Sequence, residues 1–405
     1  MTHVVVVGGG LAGAKTAEAL RENGFDGDIT IAAAEDRLPY ERPPLSKSYL
    51  ISQEGLDEAI VHLQSWYDDQ NITLRLGTTV IGIDTGAKTV TLDGGGELAY
   101  DQLVLATGAS PRALPVPGGD LPGVLTLRTV ADSDALREGL TEGKRAVIVG
   151  GGWIGLEVAA GARQRGAEVT VLEGLELPLF RVLGRELATY FADLHRRNGV
   201  DLRTSAKVES VISTDGRATG VRLADGTEVL GDLVLAAVGA APTTALAEAA
   251  GLSVDNGIVC DSGGRTSNAD IFAVGDVSRW DHPFLGHPIR VEHWANALNQ
   301  PTRVAAAMMN RELGTAELPF FFTDQYDLGL EYIGEHTDDD TLVMREVGDG
   351  ERVAFWTRDG VLVAGMAINV WDQVDPLKAL ILQKAQIDPV RLADPAIEIA
   401  DLGSN

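Results

Sequence analysis

The sequence predicts an α/β chain in which one strand–loop–helix unit is built twice, followed by a smaller α+β unit. Three observations carry this. The stretches HVVVVGGGLAGAKT (3–16) and RAVIVGGGWIGLEV (145–158) share one pattern: a β-branched run, then Gly-x-Gly-x-x-Gly, then residues that continue as a helix. TVTLDGGGELAYDQLVLATGASP (89–111) and GVRLADGTEVLGDLVLAAVGAAP (220–242) share another: alternating strand, turn, second strand, then an apolar run ending in Gly and, three residues on, Pro. From about Leu318 no glycine loop remains; ERVAFWTRDGVLVAGMAINV reads as strands and DPLKALILQKAQ as a helix.

The elements follow in chain order. Val4–Val7 is an uninterrupted β-branched run, which suits a strand buried on both faces of a parallel sheet. Gly8 permits the tight turn, Gly10 lets the backbone approach a pyrophosphate, and Gly13 lets helix and strand pack closely. Leu11 and Ala12 open the helix, whose free N–H groups face the anion. Gly150, Gly152 and Gly155 repeat this arrangement, with Trp153 and Ile154 in the helix start. About 20 residues past each loop stands an acid, Glu35 after DITIAAA and Glu173 after EVTVL. Each is a candidate for a ribose contact; the competing reading is a solvated residue at a strand end. In PYERPPLSK (39–47) the pair Pro43–Pro44 stiffens the loop, and Ser46 reads as the N-cap of a following helix. Lys47 would then start that helix, a poor place for a cation unless another group uses it; a plain surface lysine is the alternative. ASPRAL (109–114) marks the crossover between the units. IFAVGDV (271–277) is a buried strand ending in Gly275–Asp276, which puts Asp276 at the carboxyl edge of a sheet or in the cap of a turn.

Composition narrows the function. The chain has 405 residues, 45% hydrophobic and 23% charged, enough for two or three cores. Its net charge of −26 repels nucleic acid and anionic membrane surfaces. No run approaches 18 apolar residues, and the early strand leaves no room for a signal peptide, so a cytoplasmic protein is expected. One cysteine, Cys260, excludes internal disulfides, cysteine clusters and a CxxC redox motif. His282 and His287 share a Pro/Gly loop and read as structural; no metal is expected. The hard chemistry is therefore assigned to cofactors, two dinucleotides that meet, most simply a flavin and a nicotinamide.

The sequence resembles the FAD-dependent ferredoxin and rubredoxin reductases of bacterial oxygenase systems, over essentially the whole chain. The resemblance rests on PYERPPLSK (39–47), LVLATG (103–108), LRT (127–129), VGGGWIGLEVAA (149–160), VDNGIVC (254–260), IFAVGDV (271–277), EHWANALNQ (292–300) and TDQYDLGLEYIG (323–334). It implies a glutathione-reductase-like fold with two Rossmann-type domains: FAD-binding residues 1–109 and 232–317, NAD-binding residues 110–231, and a C-terminal α+β domain, 318–405, covering the flavin. For FAD it implies Gly8, Gly10, Leu11, Ala12, Gly13, Glu35, Arg42, Lys47, Val80, Ala106, Thr107, Gly108, Arg128, Gly275, Asp276, Glu292, His293 and Trp294. For NADH it implies Gly150, Gly152, Trp153, Ile154, Gly155, Glu157, Glu173, Val238 and Gly239. Lys47 and Glu157 are the expected catalytic pair. The partner would be a [2Fe–2S] ferredoxin or rubredoxin serving a P450 or Rieske oxygenase, and the chain a monomer or weak homodimer. An NADH oxidase, a nitrite reductase flavin subunit and a non-catalytic redox sensor are the alternatives. The departures lie on the acceptor side: His293 where the family often has Ser or Thr, and Phe320-Phe321-Phe322 where it often has Trp-Phe-Trp.

Three local expectations follow. Lys47 and Glu157 should form an ion pair. Trp153 should cover the flavin face until nicotinamide displaces it. Residues 277–311, with Arg279, Arg290, Arg303 and Arg311 interleaved with Trp280, Phe284 and Trp294, should form a basic and aromatic docking patch at the electron exit.

Overall fold

The computed structural model describes residues 2–403. Two parallel five-stranded sheets share one arrangement of four strands and differ in the fifth, which is last in chain order in the first sheet and first in the second. In the first, Ile271–Ala273, Gln102–Leu105, His3–Val7, Asp28–Ala32 and Ile72–Arg75 lie side by side in that order. In the second, the order is Asp201–Arg203, Glu168–Leu172, Arg145–Val149, Leu233–Ala236 and Val124–Leu125. In each, the strand before the glycine loop is central and the chain order reverses beside it, which opens a crevice at the carboxyl ends of the strands. The expected hairpins exist as three-stranded antiparallel sheets, Val80–Asp84 with Thr89–Leu92 and Glu97–Ala99, and Val208–Thr214 with Arg217–Leu223 and Glu228–Leu230.

The glycine loops are superposable in their chemistry. Gly8 has φ +124° and Gly150 φ +113°. A Cβ on either would sit 2.2 Å from a carbonyl oxygen, of Ala106 and Ala237 respectively. A Cβ on Gly13 or Gly155 would meet the carbonyl of Gly8 or Gly150 at 2.1 Å. Neither following helix, Leu11–Glu22 nor Trp153–Gln164, has a side-chain N-cap, so first-turn N–H groups stay available to a ligand. The crossover expected near Ala109 is a strand: Ala109–Pro111, leaving the first sheet, pairs antiparallel with Ala240–Pro242, where the chain returns.

The last part is a five-stranded antiparallel sheet ordered Phe320–Gln325, Leu328–Gly334, Val361–Ile368, Glu351–Arg358 and Thr341–Gly348, backed by the helix Val374–Leu382. One hydrophobic core joins Tyr40, Leu45 and Leu50 of the N-terminal loop, Ile148 and Leu156 of the second unit, and Leu330 and Trp356 of this sheet. The C-terminal sheet therefore presses on the seam between the two units.

Two expectations fail here. Ser46 caps no helix. Pro43–Ser46 is itself a short 3₁₀ helix with its prolines at the start, and Lys47 stands at its C-terminal end, where a cation is compatible with the exposed carbonyls. The basic docking patch also dissolves. Arg303, on the helix Trp294–Met308, is 6% exposed and donates to the carbonyls of Ser262, Leu313 and Gly314. Arg290 pairs with Glu292 at 2.7 Å, and Arg279 with Asp255 at 2.8 Å. Arg311 reaches back to Asn23, and Trp280 is 3% exposed. Of the four arginines only Arg303 is spent on chain closure, its guanidinium gathering carbonyls that no neighbouring side chain serves; Arg279 and Arg290 are half-buried beside acidic partners and Arg311 is exposed.

Arg303→Ala should lower unfolding free energy by about 3 kcal/mol or more, since three carbonyls lose a charged donor; Arg303→Lys should not restore it. Denaturant unfolding of the cofactor-loaded protein measures both. A near-neutral alanine variant would contradict the structural role.

Candidate functional site

A cavity of about 680 Å³ opens at the carboxyl edge of the first sheet, within the range of roughly 300–1,000 Å³ usual for cofactor sites. Its floor is Gly8, Gly10, Leu11 and Ala12 of the first glycine loop. Glu35, Arg42 and Lys47 form one side, and Val80, Ala106, Thr107, Gly108 and Arg128 another. Asp276, Glu292, His293 and Trp294 close it from the far end of the sheet. Trp153, Ile154 and Glu157 reach in from the helix after the second glycine loop, and Phe320–Phe322 from the C-terminal sheet.

Two of the expected flavin residues are not in the wall. Gly13 acts beneath it, by its contact with Gly8. The Gly275 N–H donates to Gln300 Oε1 at 2.8 Å, and a Cβ there would meet Ala12 at 2.8 Å. Of the nicotinamide residues, Gly150, Gly152, Gly155, Glu173, Val238 and Gly239 lie outside this cavity, around the carboxyl edge of the second sheet. The sequence reading missed Thr79, Ser110, Thr129 and Thr243 in the wall; Thr129 is the N-cap of the helix Val130–Gly139, whose capping box with Asp132 was the available signal, while the others sit in short loops and a three-residue strand without periodic signature.

The two strand-end acids are not equivalent. The strand pairings put Glu173 where the first unit has Ala33, and Glu35 where the second has Leu175. Backbone bonds match: Thr78 donates to Ala33 as Ala206 does to Glu173, and Gly77 to Glu35 as Ser205 does to Leu175. Glu173 accepts the N–H of Gly151 and of Leu175, each at 2.7 Å, leaving one lone pair on each oxygen. Glu35 is held differently, by Tyr40 hydroxyl at 2.6 Å and Arg42 Nη2 at 3.0 Å. Burial pushes the Tyr40 phenol up to about 12, so it remains a donor. Arg42 also donates to the carbonyl of Arg128, and Arg128 pairs with Asp276 at 2.7 Å. Two guanidiniums on its sides and uncapped helix N–H groups in its floor suit an anionic diphosphate.

The expected ion pair is present: Lys47 Nζ lies 2.8 Å from Glu157 Oε2. Ser46 Oγ donates to the same oxygen at 2.5 Å, and Thr323 Oγ1 to Oε1 at 2.6 Å. Trp153 packs edge-on to Phe191 (5.6 Å) and tilted against Phe321 (5.0 Å). His293 has its Nδ1 shielded from solvent with no protein partner, and burial holds its imidazole down at about 4, in the neutral form. A wall that leaves a buried ring nitrogen unmet, a glycine floor in which Gly8 admits no Cβ and Gly10 faces open space, and a volume of this size all fit a bound dinucleotide such as FAD. Cys260 is buried and its thiol is pushed up by desolvation, so it takes no part. His282 donates to the Glu317 carbonyl and His287 pairs with Glu335, both structural roles. No cluster of metal-ligating side chains occurs, and no helix is long and apolar enough to cross a membrane, among the described residues.

Comparison with known proteins agrees with this geometry. Residues 2–301 match the model of the pyridine nucleotide-disulphide oxidoreductases, and residues 320–403 match the reductase C-terminal model. The ferredoxin–NAD(+) reductase component of an anthranilate 1,2-dioxygenase system from Burkholderia cepacia is 41% identical over 400 residues, 97% of each chain. Rhodocoxin reductase of Rhodococcus erythropolis is 39% identical over 84% of this chain and 80% of its own. The crystal structure of a covalent putidaredoxin reductase–putidaredoxin complex contains a chain with TM-score 0.95 and 34% identity, covering 99% of this chain and 98% of that one. With a glycine loop at the head of each of two sheets and one cavity between them, the chain belongs to the pyridine nucleotide-disulphide oxidoreductase family, as a flavoprotein oxidoreductase that uses FAD and NADH.

Proposed function

We propose that the chain is an NADH:ferredoxin reductase, in which residues 1–109 and 232–317 bind FAD, residues 110–231 bind NADH, and the electrons leave singly to a [2Fe–2S] ferredoxin of an oxygenase system. One observation carries the reading. The helix that starts at the second glycine loop also walls the cavity of the first, through Trp153, Ile154 and Glu157. Two dinucleotides bound at the two loops would therefore face each other across a single helix turn. The acceptor follows from the relatives, which are named as ferredoxin reductases of dioxygenase and related systems.

Bound FAD would supply the chemistry, taking up a hydride and giving electrons up one at a time. The protein's part is placement and electrostatics. Lys47 brings an ammonium to the cavity wall, 13% exposed and fixed by Glu157, where it would stabilise negative charge arriving on a bound ligand. Trp153, Phe321 and Phe322 exclude water from that corner, and Lys47 Nζ sits 5.5 Å from the Phe322 ring. Trp153 would yield its place to a nicotinamide ring. Glu173 offers its remaining lone pairs to ribose hydroxyls and opposes a 2′-phosphate.

Three outcomes test this. Lys47→Ala should slow flavin reduction by NADH in stopped flow by at least about tenfold, the weight of one charged group at a developing charge; an unchanged rate rejects the role. NADH should be preferred to NADPH by more than about tenfold in kcat/KM, and Glu173→Ala should narrow the gap, since about 1.4 kcal/mol of charge repulsion is removed; equal values in the unaltered enzyme would contradict it. Cytochrome c reduction should require added [2Fe–2S] ferredoxin; turnover coupled to oxygen alone would point to an oxidase instead.

A further inference from the structure

The ion pair at the cavity wall is the end of a longer chain. Glu157 Oε1 accepts from Thr323 Oγ1 at 2.6 Å. Thr323 Oγ1 in turn lies 3.2 Å from Gln325 Nε2. Gln325 Oε1 lies 2.8 Å from His195 Nε2, and His195 Nδ1 lies 3.3 Å from the Tyr326 hydroxyl. His195 is 0% exposed, and Gln325 and Thr323 are 1% exposed, so water cannot substitute for any of them. The residues come from separate parts of the fold: Glu157 from the helix Trp153–Gln164, His195 from the last turn of the helix Phe180–Arg197, and Thr323 and Gln325 from one face of the strand Phe320–Gln325.

Proton counting fixes the direction of every bond. A carboxylate only accepts, so Thr323 gives its single hydroxyl proton to Glu157. Thr323 must then receive from the amide NH₂ of Gln325. That turns the Gln325 carbonyl toward His195, which must carry its proton on Nε2. Nδ1 is left to accept from Tyr326. Burial holds the His195 imidazole at about 4, which keeps it neutral and the order intact.

We propose that His195 is a positioning residue for the Lys47–Glu157 pair: its Nε2–H holds the Gln325 amide in the one orientation that lets Thr323 donate to Glu157. Without that hold, Gln325 turns its carbonyl to Thr323 and draws the hydroxyl proton away from the carboxylate. Glu157 then keeps Lys47 and Ser46 on Oε2 but has nothing on Oε1, so the carboxylate is free to turn and to carry the paired ammonium out of its place in the cavity wall. Asp324, on the opposite face of the strand, is the other charged group that feels both Lys47 and Glu157. The proposal rests on the reading of Lys47 as a group that acts on the bound cofactor.

The test uses the FAD-loaded protein. ¹⁵N NMR of histidine-labelled enzyme should show His195 as the neutral Nε2–H tautomer, without titration between about pH 5 and 9. Thr323→Val, nearly isosteric, should slow flavin reduction by NADH about tenfold, with KM for NADH changed less than about twofold. Gln325→Glu should slow it at least as much, because the new carboxylate takes the Thr323 proton. His195→Leu should slow it about fivefold, and His195→Gln, which keeps an N–H at the same place, should recover most of the loss. An Nδ1–H tautomer, a His195 that titrates near neutrality, or Thr323→Val at the unaltered rate each overturns the proposal. If His195→Leu fails to fold, Thr323→Val and Gln325→Glu still decide it. If Lys47→Ala leaves the rate unchanged, the reading of the pair fails first; if Lys47→Ala is slow while the other variants are normal, only the role of His195 falls.

Discussion

A carboxylate buried at a junction organises this molecule. Glu157 is 6% exposed and sits where three parts of the chain meet. Taking an ion pair out of water costs several kcal/mol per charge unless its geometry is good and its remaining lone pairs are filled. Glu157 meets that condition only because each part contributes: Ser46 and Lys47 from the proline-stiffened N-terminal loop, Thr323 from the C-terminal sheet, and Glu157 itself from the helix of the second unit. Displacing any of the three parts strands a buried charge. The contact thus fixes the relative placement of the two glycine loops as well as the chemistry between them.

The same junction explains the third unit. The first glycine loop and the second-unit helix supply only part of the cavity wall. The C-terminal sheet closes the seam with Phe320–Phe322 and shares a core with both neighbours. Its ring contacts with Trp153 and Trp294 line the corner where a nicotinamide would approach. The family is named for disulphide chemistry, but the helix Leu11–Glu22 has no cysteine and Cys260 is buried elsewhere. In this chain the route for electrons therefore does not run through a thiol pair.

The acidic surface bears on the partner. With a net charge of −26, Arg279 and Arg290 paired to Asp255 and Glu292, Arg303 buried among backbone carbonyls and the exposed Arg311 held by Asn23, residues 277–311 build no broad basic face. Long-range steering by that segment is correspondingly weak, since charges beyond about 8–10 Å are screened at physiological ionic strength.

What the sequence determined is the repeated unit. Gly8, Gly13, Gly150 and Gly155 are dictated by carbonyls about 2 Å from where a Cβ would be, a local constraint that leaves a local signature. The β-branched strands before them and the hairpins after them are equally local, and so the duplication and both loops were legible, whereas most of the cavity wall was reached only through resemblance. The ion pair was legible only through resemblance, because Lys47 and Glu157 are 110 positions apart with no pattern linking them. Tertiary structure alone decided the rest. It put Lys47 at the end of a 3₁₀ turn instead of the start of a helix, since the two prolines themselves form that turn. It made Glu35 and Glu173 inequivalent, because strand register, not distance from the loop, sets which residue meets the crevice. It turned Arg303 inward, because unmet carbonyls from distant loops have no sequence signal. And it threaded Thr323, Gln325 and His195 to Glu157, since a buried polar chain is specified by the packing of separate elements and by nothing in any one of them.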